Sequence, residues 1–236
     1  MIGDECSPGV RLRSGIGELG QSRPATIHQV RARSHVARPV FGLKLTAYSP
    51  AALGAVPADP ETWAALRPVH LQNVGAPPEA PIPEFWQRIY QAAGLDPANA
   101  WTVESFVDRR KVRAYFNSGC MAFAPQRGIL RAWRDVYEQL LGDPANHAFY
   151  TASEANAIFC HQAVLSAVVA AKAGRERVNL LPPSYGYPLP LQDQPGFTNR
   201  MTSLSDMVIV IGGTADNLRN IEITEPYKRW IEINVR

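Results

Sequence analysis

The stretch YFNSGCMAF, Tyr115 to Phe123, sets an unusually small and polar trio, Asn117-Ser118-Gly119, between two apolar runs. Residues 112–116 and 121–124 are rich in β-branched and large apolar side chains and read as strands. Two explanations compete for what separates them. Asn, Ser and Gly are common turn formers, so the trio can simply reverse the chain. Gly119 also lets backbone approach another group with no Cβ in the way, while Asn117 and Ser118 offer donors and acceptors. Sugar hydroxyls need partners of that kind. The residues downstream of Phe123 have to decide.

After the trio comes the clearest helical pattern in the chain, residues 126–141. Ile129, Leu130, Trp133, Val136, Tyr137, Leu140 and Leu141 fall on one stripe, and Gly142 stops it. Ser153 is an N-cap for a further helix through Ile158, Val164, Leu165 and Val168 that ends at Gly174. Upstream, Pro83-Glu84 opens a helix with Phe85, Trp86, Ile89 and Tyr90 on one face and Gly94 as its C-terminal stop. Asp59-Pro60-Glu61 is expected to start a short helix through Trp63 to Leu66, with residues 66–75 extended after it. Further strands are expected at 39–48, 178–181, 207–211 and 221–223. Helices alternating with strands predict an α/β layered domain with a mixed sheet. Residues 1–38, rich in Gly, Ser and Arg, bury little and read as a loosely packed segment, leaving 39–236 as the domain.

Composition narrows the function classes. With 236 residues, 46% hydrophobic and 19% charged, the chain can build a sizeable core. A formal charge of +3 is too small to make nucleic acid or an anionic membrane the main partner. Cys6, Cys120 and Cys160 lack metal spacing, and two of them sit in apolar runs, as buried free thiols do in a reducing compartment. The N-terminus has no apolar signal stretch and no later run resembles a membrane span, so a cytoplasmic location is expected.

Two later pieces carry polar groups in apolar settings. His161-Gln162 lie in the Ser153 helix, where each needs a partner if buried. Tyr185 and Tyr187 come next in a proline-held loop, NLLPPSYGYPL, where the rings either stack on a sugar or base or pack over a core edge. His70, beside Gln72 and Asn73, faces either a cleft or the core.

In order, these pieces are more specific than any one alone. Asn117-Ser118-Gly119, a helix carrying Trp133, then His161-Gln162-Ala163-Val164-Leu165 and Leu181-Pro182 to Tyr187 resemble the C-terminal half of GT-A type nucleotide-sugar glycosyltransferases, the glycogenin and galactinol-synthase-like group. The resemblance spans residues 110–190. It implies a GT-A-like three-layer fold, incomplete at its N-terminal nucleotide-binding half. It also implies transfer of a sugar from a nucleotide sugar to a glycan or other acceptor, with Asn117, Ser118, Gly119, His161, Gln162 and Tyr185 binding substrate.

The departures are specific. The group's Asp-x-Asp, which holds a divalent metal on the diphosphate, occurs nowhere in this chain, and His161 stands where an acid is usual. No cofactor is evident; Mn²⁺ or Mg²⁺ is expected only if a donor site is completed elsewhere. Otherwise the leaving diphosphate needs another counter-charge, for which Arg109, Arg110 and Arg113 are the candidates. A non-catalytic relative that binds a glycan or protein is the alternative. Other templates fail: there is no G-x-S-x-G, P-loop or H-E-x-x-H, and the glycines of GIGELG, Gly15 to Gly20, follow no expected strand, as a dinucleotide-binding turn requires.

Overall fold

The computed structural model describes residues 61–212 and 215–234. The expectations for residues 1–38 and 39–48, and the boundary between them, lie outside the described residues.

Strand β1 (Ala64–Pro68) is followed by helix α1 (Glu84–Ala93), β2 (Thr102–Glu104), β3 (Lys111–Arg113) and β4 (Phe116–Phe123). Three helices come next, α2 (Ile129–Gly142), α3 (Pro144–Thr151) and α4 (Glu154–Ala173). Then β5 (Val178–Leu180), β6 (Tyr185–Tyr187), β7 (Ile209–Val210) and α5 (Tyr227–Asn234) complete the order. The fold is α/β with a mixed main sheet: β1 lies between antiparallel β4 and parallel β5, and β2–β3 and β6–β7 form separate two-stranded sheets.

Local signals set the helix ends as expected. Gly94 takes φ +66° after α1, where a Cβ would be strained, and Ser153 caps α4 by accepting from the Asn156 N–H. Helix α3 has its own cap, with Asp143 accepting from Ala145 N–H and Pro144 at the first position. Helix α4 is long and apolar enough to cross a membrane by length and composition, but here it is the core helix. It packs on α1, α2, α3 and β4, and Ala163 through Ala170 are buried without interruption.

Four expectations change. Trp63 to Leu66 do not begin a helix: Ala64–Pro68 is a strand buried at every position, because pairing on both edges outweighs the local start signal. Residues 116–123 form one strand, so Asn117-Ser118-Gly119 is not a turn between two. The Tyr185–Tyr187 segment is a short strand rather than a loop, and residues 221–223 contribute only an isolated bridge at Glu222. Cys120 and Cys160 are buried and unbridged.

The main core lies on the helix side of the sheet, where Leu66, Phe116 and Val178 meet Trp86, Tyr90, Tyr115, Val164 and Leu165. On the other side Ala65, Cys120, Leu181, Tyr185 and Ile209 form a smaller cluster, and Phe106, Tyr187 and Phe197 anchor a third.

Candidate functional site

The trio sits in a bulge. Leu66 faces Met121 while its neighbour Arg67 faces Asn117, so Ser118, Gly119 and Cys120 have no partner across β1. Such extra residues bend a strand and re-aim its side chains. Asn117 Oδ1 closes the bulge on itself by accepting the Gly119 N–H at 2.6 Å. A Cβ on Gly119 would lie 2.7 Å from Ile211 Cδ1 and 2.8 Å from Asn117 Oδ1. A side chain here would force Ile211 or Asn117 to move, and the groups that come close are side chains of this protein.

Ser118 points toward α4. Its Oγ lies 3.0 Å from His161 Nε2. The His161 backbone is tied from a second helix, its carbonyl accepting from Trp133 Nε1 at 2.9 Å. Burial pushes the His161 pKa down, opposed by a hydrogen bond to the Ile158 backbone, so the ring is neutral at pH 7. A neutral ring donating to Ile158 offers Nε2 as the acceptor for the Ser118 O–H, which leaves the hydroxyl's lone pairs for an incoming O–H donor. One turn on, Ser166 Oγ accepts the Phe116 N–H at 2.9 Å and donates to the Gln162 carbonyl at 2.6 Å. This stitches the start of β4 to α4 deep in the core. Gln162 is buried, and its side-chain amide makes no hydrogen bond among the described residues.

The β6 segment reaches the bulge from the far side. Gly186, at φ +76°, has its Cβ direction 2.9 Å from the same Ile211 Cδ1 and 3.1 Å from Cys120 Cβ. Its carbonyl lies 2.9 Å from His70 Nε2. Burial, with Arg67 nearby, drives the His70 pKa down to about 4, so His70 is neutral and donates to that carbonyl. Tyr185 is buried among Ala65, Cys120, Leu181 and Ile209, and its ring packs against protein. Tyr187 bonds to Gln192 Oε1 and accepts from Met201 N–H, with its ring against Phe106 and Phe197. Of the two readings of these tyrosines, packing is the one realised.

The structure thus brings Asn117, Ser118, Gly119 and His161 together, with half-buried surfaces, and sets Gly186 against the same Ile211. Two surface clefts of about 480 and 530 Å³ lie elsewhere, along α1 and between α1, α3 and the start of α4, and neither is lined by the trio.

Two of the three arginines nominated from the sequence have side-chain partners among the described residues. Arg109 pairs with Glu104 at 2.7 Å, and Arg113 Nη2 donates to the Pro78 and Ala80 carbonyls. The cation at the bulge is another one, Arg67. It is 3% exposed, directly opposite Asn117, and lies over the Phe106 ring at 4.5 Å. Sequence reading passed over it because it stands alone in the apolar text WAALRPVHL, and that isolation was the available signal.

A divalent metal does not fit what is here. Among the described residues no three His, Cys, Asp or Glu side chains cluster as ligands. Asp108, the acid that precedes Arg109, is already bonded to the Ser105 hydroxyl and the Gln72 N–H.

A family model described as Rhodobacterales glycosyltransferase domain matches residues 47–173, more than half of the chain. The chain belongs to this family. No curated protein and no solved structure matches. In this glycosyltransferase domain the matched stretch contains Arg67, the whole bulge, His161 and Gln162, while Tyr185, Gly186 and Ile211 lie beyond it.

Proposed function

We propose that this domain transfers a sugar from a nucleotide-diphosphate donor to an acceptor, with a GT-A-like arrangement in which the β4 bulge holds the carbohydrate. The observation that carries the reading is the Ser118–His161 hydrogen bond, which joins the polar bulge to the core helix about two turns from its start. Membership of a glycosyltransferase family supports it. Asn117 Nδ2, the Ser118 lone pairs and the Gln162 amide are the groups left to meet sugar hydroxyls. Neutral His161, with its pKa lowered, serves as an acceptor that fixes Ser118 rather than as a strong base. Rate enhancement would come from positioning and from stabilising the leaving diphosphate.

The same acid-poor surroundings favour a second reading, a domain that binds glycan without turnover. Release of nucleoside diphosphate from nucleotide sugar separates the two. Calorimetry of the full chain with nucleotide sugar, with and without Mn²⁺, tests the donor site, and no heat at millimolar ligand would favour the glycan-binding reading. Binding is expected and is expected to be lost in Asn117→Leu, with the circular dichroism spectrum unchanged. Equal binding by Asn117→Leu would remove the bulge from the sugar site.

A further inference from the structure

Among the described residues, Arg67 is the buried charge with the fewest partners. Two of its nitrogens, Nε and Nη2, are shut off from solvent and have no hydrogen-bond partner among the described residues. The ion pairs among the described residues join Arg88, Arg109, Arg134 and Arg177 to their acids, and none involves Arg67. A buried guanidinium with neither counter-ion nor acceptors is costly, and a fold normally satisfies it with a carboxylate. The Phe106 ring supplies a cation–π contact but cannot accept in the plane of the guanidinium. Burial lowers the Arg67 pKa to about 10, so the group remains charged at neutral pH.

Its setting points to an anion from outside. Arg67 is held at the bulge, the one place where the β1–β4 ladder is interrupted, so Ser118 to Cys120 can shift without breaking pairing to β1. His70, three residues on, is anchored to Gly186 through one ring nitrogen. The planar fork of an arginine matches phosphate oxygens two at a time.

We propose that Arg67 is the oxyanion-binding residue of the donor site and takes the diphosphate of the nucleotide sugar, in place of carboxylate-held metal. This rests on the reading of the bulge as a sugar site. As the acceptor hydroxyl oxygen bonds to the anomeric carbon, the glycosyl C–O bond breaks and its electron pair goes to the departing phosphate oxygen. The hydroxyl proton passes to the released diphosphate or to water, and a fixed cation stabilises the charge that develops on the leaving group.

The test uses the full chain in EDTA, with UDP, GDP and inorganic pyrophosphate as probes in calorimetry. Wild type is expected to bind at least one nucleoside diphosphate without metal. Arg67→Met is expected to weaken it roughly ten- to a hundredfold, the range for losing hydrogen bonds to a charged group, and Arg67→Lys less. Urea unfolding of Arg67→Met should show equal or higher stability, since a desolvated charge has been replaced by an apolar chain of similar length. Unchanged nucleotide binding in Arg67→Met, with lowered stability, would make Arg67 structural and overturn the proposal while leaving the sugar site intact. Pyrophosphate binding with no gain from a nucleoside would also overturn the donor assignment. Failure of wild type to bind any nucleotide sugar, with or without Mn²⁺, would overturn the function reading and this proposal with it.

Discussion

Gly119→Ala tests why the bulge contains glycine. The new methyl would sit 2.7 Å from Ile211 Cδ1 and 2.8 Å from Asn117 Oδ1, about 1 Å inside ordinary carbon contact for the first. Overpacking of this kind costs about 1–3 kcal/mol. Displacing Asn117 also weakens its bond to the Gly119 N–H, worth roughly 0.5–1.5 kcal/mol. The expected loss is therefore about 2–4 kcal/mol in urea unfolding monitored by fluorescence, with the m-value unchanged. Ile211→Val removes the offending Cδ1, so the double variant should recover most of the packing share. Gly186→Ala provides the control: it meets the same Ile211 Cδ1 at 2.9 Å, but at φ +76° its backbone strain, about 1–2 kcal/mol, survives the second change. Rescue should therefore be larger for Gly119→Ala than for Gly186→Ala. If Gly119→Ala costs under about 0.5 kcal/mol, or if Ile211→Val rescues neither, close packing does not dictate the glycine.

Two further predictions concern the residues that frame the bulge. Because the folded-state His70 pKa is lowered to about 4, the unfolded chain takes up a proton below its ordinary value that the folded chain refuses. Stability should fall as pH drops from about 6.5 to about 4, by on the order of 3 kcal/mol from this group. The difference in unfolding free energy between wild type and His70→Gln should show that slope, and parallel pH profiles would refute it. Ser166→Ala strands the buried Phe116 N–H and should cost about 1–3 kcal/mol in urea unfolding, with a loss under 0.5 kcal/mol meaning that another acceptor replaces it.

What could be read without coordinates was mostly what is local. Gly94, Ser153 and Gly174 mark helix ends through their own backbone preferences, so α1 and α4 emerged with nearly correct limits. Strand β1 did not, because Asp59-Pro60-Glu61 is a local start signal while the strand owes its existence to β4 and β5, which arrive more than 50 residues later. The continuity of β4 was hidden for a similar reason. Asn, Ser and Gly suit a turn and a bulge equally, and only the register with Leu66 and Arg67 distinguishes them. The pairing of Ser118 with His161 was foreshadowed by the order of the pieces, whereas the burial of Tyr185 depends on Ile209, a contact that no periodicity reports.

Arg67 shows where such reading stops. A charge matters functionally when its surroundings leave it unsatisfied, and absence of a partner is a property of three dimensions. The arginines that look most prominent in the text, in DRRKVR, include Arg109, paired with Glu104, and Arg113, whose Nη2 donates to backbone carbonyls while its Nε is buried without a partner. The one embedded in apolar sequence has two buried nitrogens without partners among the described residues and no ion pair. A strand buried along its whole length tolerates that arrangement only if desolvation is offset, either by the Phe106 face alone or by a ligand that brings its own negative charge. The first alternative predicts that replacing Arg67 with methionine changes nothing in binding. The second makes the bulge and the cation parts of one donor site, with phosphate on Arg67 and sugar at the bulge that begins with its cross-strand neighbour Asn117.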